Sequence, residues 1–357
     1  MTEERRKLLA DINKEFAARM GEEKAVICLG DSDTKFDYDV RPSGSLLLDL
    51  ALGGGYGKGK LVVLTGQEKS GKTTLFNLAV AEAQINEPDK ENCIIDLEQT
   101  WNPEWARKLG VDTDKIIVSQ PSTYGENVYD LLEYLISTGK FAYIAVDSVD
   151  GIIPKEEFEE TDWTKEARVG GASKLNSKAM RKIVYSGLLK KSGTTLIFIQ
   201  QLRDKIGGFS MYGTPTDTVG GRSIKHACVQ RLEVAQGEQF VKGTGATRQV
   251  IGQQIKVKLT KNKIGHPYTT ATLDLYYDTG IDKISELVSV AKALGVLQGT
   301  NWLKFVDPTT GEVFTRGNEE IKFNGVAKAI EALKDDIQNG GELYAQIFTV
   351  VNKVIRR

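Results

Sequence analysis

The sequence predicts an α/β fold built on a mainly parallel sheet with helices on both faces, and three observations carry that prediction. From Leu61 onward, short apolar runs alternate with segments of helical period, the rhythm of strand–helix–strand crossovers. The runs themselves read as strands buried on both faces, as parallel strands are. A glycine-rich turn, Gly66-Gln67-Glu68-Lys69-Ser70-Gly71-Lys72-Thr73, joins one such run directly to a helical segment, a strand–loop–helix unit with a known chemical use.

Taken in order, residues 3–20 carry Leu8, Ile12, Phe16 and Met20 at four-residue spacing with charges between them, which predicts an amphipathic helix. A short run, Ala25–Leu29, reads as a strand. Helix and strand together form an arm, residues 1–33, ahead of a core over 34–280. Core strands are expected at Leu61–Thr65, Cys93–Leu97, Ile116–Val118, Tyr143–Val146 and Thr195–Ile199, with helices near 72–85, 125–138 and 171–190. Residues 207–221 are rich in Gly, Ser, Thr and Pro and read as a mobile loop. Alternating segments at 229–235, 254–260 and 269–277 predict antiparallel strands. Beyond Gly280, helices around a hairpin-like Trp302–Thr315 segment predict a small α/β domain over 281–357.

A chain of 357 residues has room for one large core and small appended domains. Its 40% hydrophobic and 27% charged content is that of a soluble globular protein. No run approaches the ~20 apolar residues of a membrane span. The N-terminus, Met1 to Lys7, lacks the charged-then-apolar order of a signal peptide. Three scattered cysteines, Cys28, Cys93 and Cys228, form no paired or metal-type spacing and fit a reducing cytoplasm. A net charge of −1 gives nucleic-acid binding no bulk support, so that case rests on local patches. Two histidines, His226 and His266, are too few for a histidine-based metal site.

The turn from Gly66 to Thr73, with Thr74 after it, matches the phosphate-binding loop in its required context. Glycines let backbone N–H groups converge on phosphate oxygens, and the helix N-terminus adds favourable partial charge. Lys72 is placed to reach the β- and γ-phosphates and the Thr73 hydroxyl to bind Mg²⁺, which implies ATP and Mg²⁺ as ligands. A second apolar run ends in Asp147, a partner for Thr73 across the metal; a third ends in Asp96-Leu97-Glu98, where a carboxylate can polarise an attacking water. Lys174, Lys178, Arg181 and Lys182 recur at helical spacing as one basic face, and Arg203, Lys205 and Arg222 surround Gly220-Gly221, a turn suited to phosphate contact. Lys261-Asn262-Lys263 alone reads as a solvated charge run. These residues leave open a recombinase, a ring-shaped motor of the same core, or a mediator that binds ATP as a structural ligand.

With Gly66–Thr74, Asp96–Glu98, Ala106–Asp112, Val146–Val149, Ala179–Lys182, Phe198–Arg203, Lys205–Gly207 and Lys261–Ile264 in this order, the chain resembles the RecA family over roughly residues 5 to 290. The resemblance implies a RecA-like ATPase core that polymerises as a helical filament on single-stranded DNA. It implies engagement of double-stranded DNA during strand exchange. It makes Glu98 the water-activating base and Gln201, at the start of the mobile loop, the γ-phosphate sensor. Trp105 falls where the family stacks an aromatic on adenine. Asn102 falls where an aspartate is usual, which puts its base contact in doubt. Lys261 and Lys263 match a pair that reaches the neighbour's ATP. DNA contacts are implied near 156–170, through Val169, Gly170, Lys174, Ser177 and Arg181, and near 202–222, through Arg203, Lys205, Ile206, Gly220, Gly221 and Arg222. Val169 and Ile206 would wedge between base triplets. Asp204 beside Arg203, the acids Glu157, Glu159, Glu160, Asp162 and Glu166, and longer loops depart from the family. Those differences and the short tail fit a bacteriophage-encoded relative acting in its host's cytoplasm.

Overall fold

The computed structural model describes residues 2–20, 39–162, 164, 170–204, 216–218, 222–316 and 319–356. The chain forms two compact units, Met1–Asp39 and Val40–Arg357. In the first, α1 (Glu3–Met20) carries Glu3 and Glu4 in its first turn and Arg19 in its last, charges that complement the helix dipole. Leu8 and Phe16 of its apolar stripe are exposed. The strand expected at 25–29 lies outside the described residues.

The second unit is built around ten strands: β1 (Leu61–Gly66), β2 (Glu91–Asp96), β3 (Ile117–Ser119), β4 (Phe141–Asp147), β5 (Thr195–Asp204), β6 (Thr216–Thr218), β7 (Gln230–Lys242), β8 (Gln249–Asn262), β9 (Thr270–Tyr276) and β10 (Gly280–Ile281). They form one sheet in the order β10-β9-β8-β7-β1-β5-β4-β2-β3, with β6 beside β5. Residues alternate between two cores: Val62, Leu64, Ile94, Ala145 and Ile197 face one, Leu61, Val63, Ile95, Ile144 and Phe198 the other. Period-two alternation within runs that are apolar throughout is what burial on both faces requires.

Helices of this unit include, in chain order, α2 (Leu46–Leu52), α3 (Lys72–Asn86), α4 (Pro103–Lys108), α5 (Gly125–Ser137), α6 (Gly171–Met180), α7 (Arg222–Ala227), α8 (Lys283–Ala293), α9 (Val326–Gln338) and α10 (Glu342–Ile355). Leu75 and Phe76 of α3 pack in the first core, and Val128 and Leu132 of α5 with Ala179 and Met180 of α6 in the second. A third cluster joins Leu287 of α8, Leu333 of α9 and Ile347 of α10 to Leu303, Phe305 and Phe323 of a small antiparallel sheet.

Four expectations need correction. β7 is not antiparallel to its inner neighbour: it runs parallel to β1, and the antiparallel run begins only at β8. The helix expected over 171–190 stops as an α-helix at Met180, passes through a wider turn at Arg181–Tyr185 and resumes at Leu188–Ser192; Gly187, at φ 81°, breaks it. Gln201 does not begin a loop, because β5 continues to Asp204 and Leu202 pairs with Thr218 of β6. The segment 207–221 therefore contains a strand at 216–218, and the rest of it lies outside the described residues. No helix among the described residues is long and apolar enough to cross a membrane.

Candidate functional site

The parallel strands β1, β2 and β4 end near one another while β5 runs on past them, and the groups singled out for nucleotide chemistry lie at this edge, where α/β sheets bind ligands. β1 stops at Gly66, where a Cβ would lie 2.2 Å from the Val234 carbonyl oxygen and 2.7 Å from Ser70 Oγ. Gly71 opens α3 at φ 102°, in the left-handed region, with a Cβ position 2.7 Å from Ile255 Cδ1. Only glycine fits both places, so the loop wraps tightly enough for its N–H groups to face one centre. Gln67, Glu68 and Lys69 are exposed at its crest, while Ser70 is buried, its hydroxyl without a protein partner among the described residues.

Lys72, 8% exposed, donates from Nζ to the carbonyl oxygens of Gly66 at 3.0 Å and Gln67 at 2.7 Å. Burial pulls its pKa down, while the charges of Asp147, Glu98, Asp150 and Glu68 oppose that fall. The Thr73 hydroxyl donates to Asp147 Oδ2 at 2.7 Å. Burial pushes the Asp147 carboxyl up to about 6 against the Thr73 hydrogen bond, with Glu98 and Asp96 adding to the rise. A hydroxyl and a carboxylate oxygen in contact are the hard donor pair that suits Mg²⁺ arriving with phosphate oxygens.

The two acids after β2 separate into different roles. Asp96 is buried and its Oδ2 accepts from the Trp101 N–H and the Gln120 side-chain amide, each at 2.9 Å. Glu98 is exposed, and its backbone is anchored because the N–H groups of Leu97 and Glu98 both donate to the Asp147 carbonyl. Gln201 Nε2 donates to Glu98 Oε1 at 2.9 Å. The expected base and the expected sensor therefore touch.

Trp105 is fixed to the phosphate-loop helix by its indole N–H, which donates to Thr74 Oγ1 at 3.2 Å, and its ring meets Tyr277 edge-on at 6.5 Å. Asn102 accepts the Trp105 N–H at 3.0 Å and thereby caps α4; local helix chemistry accounts for the residue. Sequence reasoning missed Tyr277 and Gln253. Gln253 Nε2 donates to the Lys69 carbonyl at 3.2 Å, while its Oε1 accepts from Tyr277 and Gln236. They follow the loop by some two hundred residues, so no local motif could have flagged them. Asp150 was also missed, although it lies three residues after Asp147.

Lys261 and Lys263 are not brought to this site. Lys261 pairs with Arg231, and Arg231 with Val63, whereas the loop leaves β1 at Gly66, level with Val234. That places Lys261 about 10 Å back along the strands, toward the opposite end of the sheet. It is no solvated charge: Nζ donates to the carbonyls of Lys225 at 2.8 Å and His226 at 3.1 Å, at the C-terminus of α7. Burial lowers its pKa, Cys228 opposes that fall and Lys263 adds to it. Lys263 is exposed.

On the expected DNA face, Gly170 precedes α6 at φ 84°, and Lys174, Lys178 and Arg181 are exposed. Ser177 turns its hydroxyl back to the Ser173 carbonyl at 2.8 Å. The face carries both signs: Lys182 pairs with Glu133, and Lys174 and Lys178 share a cleft with Glu126 and Glu156. Arg203 pairs through its backbone with Asp217, and Arg222, exposed, opens α7. Val169, Lys205, Ile206, Gly220 and Gly221 lie outside the described residues.

A family profile described as the RecA N-terminal domain matches residues 5–282. The chain belongs to the RecA family. It is 38% identical over 330 residues to Protein RecA of Mycoplasma mycoides subsp. mycoides, covering 92% of this chain and 88% of that one. To Protein RecA of Thermus aquaticus it is 36% identical over 357 residues, 99% and 97% of the two chains. Membership makes it an ATP-dependent homologous recombinase of recombination and repair, a DNA-dependent ATPase working with Mg²⁺. Proteins of the RecA family bind single- and double-stranded DNA and assemble as homo-oligomeric filaments.

Proposed function

We propose that ATP is hydrolysed at junctions between neighbouring copies in a filament on single-stranded DNA, with the roles divided as follows. Gly66, Gln67, Glu68, Lys69, Ser70, Gly71 and Thr74 form the phosphate cradle, and Lys72 supplies its counter-charge. Thr73 and Asp147 hold Mg²⁺, which when bound neutralises charge on the phosphates. Glu98 activates water. Gln201 senses the γ-phosphate, and Trp105 packs on the base with Asn102 behind it. The single observation that carries this reading is the 2.9 Å contact between Gln201 and Glu98. A phosphate oxygen competing for that amide N–H would free the carboxylate for water and pull on β5 in one movement.

The position of Lys261, far from its own cradle and tied to the end of α7, supports action of Lys261 and Lys263 on a neighbour's nucleotide. Two cations entering from a second copy would stabilise transition-state charge as an arginine finger does. The exposed Leu8 and Phe16 of α1 support residues 1–33 as the polymerisation arm, ahead of an ATPase core over 34–280 and a small C-terminal domain over 281–357. Gly170, Lys174, Ser177, Arg181 and Val169 would form one DNA loop. Arg203, Lys205, Ile206, Gly220, Gly221 and Arg222 would form the other. The cytoplasm, that of the host if the gene is carried by a phage, is the compartment that fits.

ATPase rate with and without single-stranded DNA, together with electron microscopy of the ATP-bound assembly, tests this reading. Marked stimulation and helical filaments are expected; rings, or a rate indifferent to DNA, overturn it. Because Asp147 titrates near 6, the Mg²⁺-dependent part of ADP affinity should fall as pH drops through that value. Asp147→Asn should weaken that dependence, leaving only the part that comes from protonation of the diphosphate itself.

A further inference from the structure

We propose that Asp150 is a positioning residue for the relay between ATP and DNA, holding the main chain at Gln201 as a pivot about which the glutamine side chain turns. The role deepens the reading of Gln201 as the phosphate sensor and depends on it. It arises from a mismatch in strand length. β4 ends at Asp147, paired with Ile199, but β5 runs on to Asp204. Past Ile199, the side of β5 that β4 served has lost its strand, and an N–H there needs another acceptor.

The chain supplies one immediately. After β4 it makes a tight turn over Val149–Gly151, closed by the Gly151 N–H on the Ser148 carbonyl at 3.0 Å. That turn brings Asp150 Oδ2 to the Gln201 N–H at 2.6 Å. On its other side Gln201 is paired with Gly66, the first residue of the phosphate loop. Two carboxylates therefore divide the residue between them: Asp150 takes the backbone, Glu98 the side-chain amide.

This division has a mechanical consequence. When the amide leaves Glu98 for a phosphate oxygen, a main chain held on both sides cannot absorb the movement. The displacement passes on to Leu202 and Arg203, which pair with Thr218 and Asp217 at the root of the second DNA loop. Without Asp150 the same swing would be spent in local fraying of β5. The charge of Asp150 also favours the ammonium form of Lys72.

The test compares full-length parent, Asp150→Ala, Asp150→Asn and Gln201→Ala for ATPase turnover with single-stranded DNA, KM for ATP, and the ratio of DNA affinities with a non-hydrolysable ATP analogue and with ADP. Loss of one charge-assisted hydrogen bond should cut DNA-stimulated kcat and that affinity ratio about tenfold in Asp150→Ala, with KM for ATP changed less than about threefold. Asp150→Asn keeps an acceptor oxygen and should restore most of both. In the parent, exchange of the Gln201 amide should be slowed at least about tenfold relative to an open strand end. A freely exchanging amide overturns the pivot even if Asp150→Ala does not fold. Full coupling in Asp150→Ala beside lost coupling in Gln201→Ala also overturns the pivot while leaving the sensor intact. Full coupling in Gln201→Ala overturns the sensor reading itself.

Discussion

The two ends of the functional surface are built on opposite principles. Around the phosphate loop, the four charged groups singled out for chemistry are each held by a protein partner: Lys72 by two carbonyls, Asp147 by Thr73, Asp96 by Trp101 and Gln120, Glu98 by Gln201. On α6, Lys174 and Lys178 are exposed, and acids of neighbouring elements, Glu126 and Glu156, share their cleft, while Lys182 just beyond the helix pairs with Glu133. Groups held in fixed geometry suit charge that must be stabilised without reorganisation. Exposed, adaptable cations suit a polyanion whose bases vary and whose binding is mainly electrostatic. Substitutions at the first end should therefore change turnover by large factors, and those at the second should change salt dependence.

The largest effect is expected at Glu98. Glu98→Gln preserves shape and can still meet Gln201, but it loses the base, so turnover should fall by about 10²–10⁴-fold with nucleotide binding retained. A parental rate in single-turnover assays would transfer the role to another group. Next comes Lys261→Ala, expected to lower turnover by about 10²-fold, less than the loss of an arginine finger supplied in trans. The two variants together sharpen the comparison between site and neighbour. In an equal random mixture about one junction in four joins an intact Glu98 to an intact Lys261 of another copy. Activity should therefore reappear on mixing, and its absence at any ratio would place Lys261 outside the neighbour's site. Lys174→Ala should leave turnover at saturating DNA nearly unchanged while reducing the slope of log affinity against log salt by about 0.7. An unchanged slope would remove α6 from the phosphate-contacting surface.

The same contrast explains what the sequence disclosed. The phosphate loop could be read because its chemistry demands adjacent residues of fixed type, and Gly66 and Gly71 sit where no Cβ fits. The parallel strands could be read because burial on both faces leaves continuous apolar runs. Hidden were contacts made by register rather than by neighbours: Gln253 on Lys69, Tyr277 beside Trp105, Asp150 on Gln201. Asn102 was ambiguous in sequence, since a helix cap and a base contact ask for the same polar side chain. The orientation of β7 was also illegible. An alternating pattern reports which faces are buried, and it is silent on whether the neighbour is parallel β1 or antiparallel β8.

The smallest effect on chemistry, and the one that isolates stability, is expected at Glu286 on α8, remote from both surfaces. Its carboxylate accepts the Ser45 hydroxyl at 2.8 Å and the Leu46 N–H at 3.1 Å, binding α8 to the start of α2. Burial pushes it from 4.5 up to about 7, against those two hydrogen bonds and the charge of Lys283. Asp49, Glu82, Lys283 and Tyr344 line the same cleft, and burial likewise raises Asp49 to about 7. Because the folded pKa of Glu286 lies above the unfolded one, the folded protein retains a proton that the unfolded chain has lost between about pH 4.5 and 7. Stability from this group therefore declines as pH rises through that window, and the penalty is complete above it. A glutamine in its place cannot ionise, yet its oxygen can accept from Leu46 and its amide can donate to Ser45. Glu286→Gln should match the parent near pH 4.5 and gain up to about 3 kcal/mol by pH 8, a rise of several degrees in Tm, with turnover unchanged. Parallel melting curves for the two proteins from pH 5 to 8 would show that the carboxylate ionises in place without cost, and that water reaches this cleft freely.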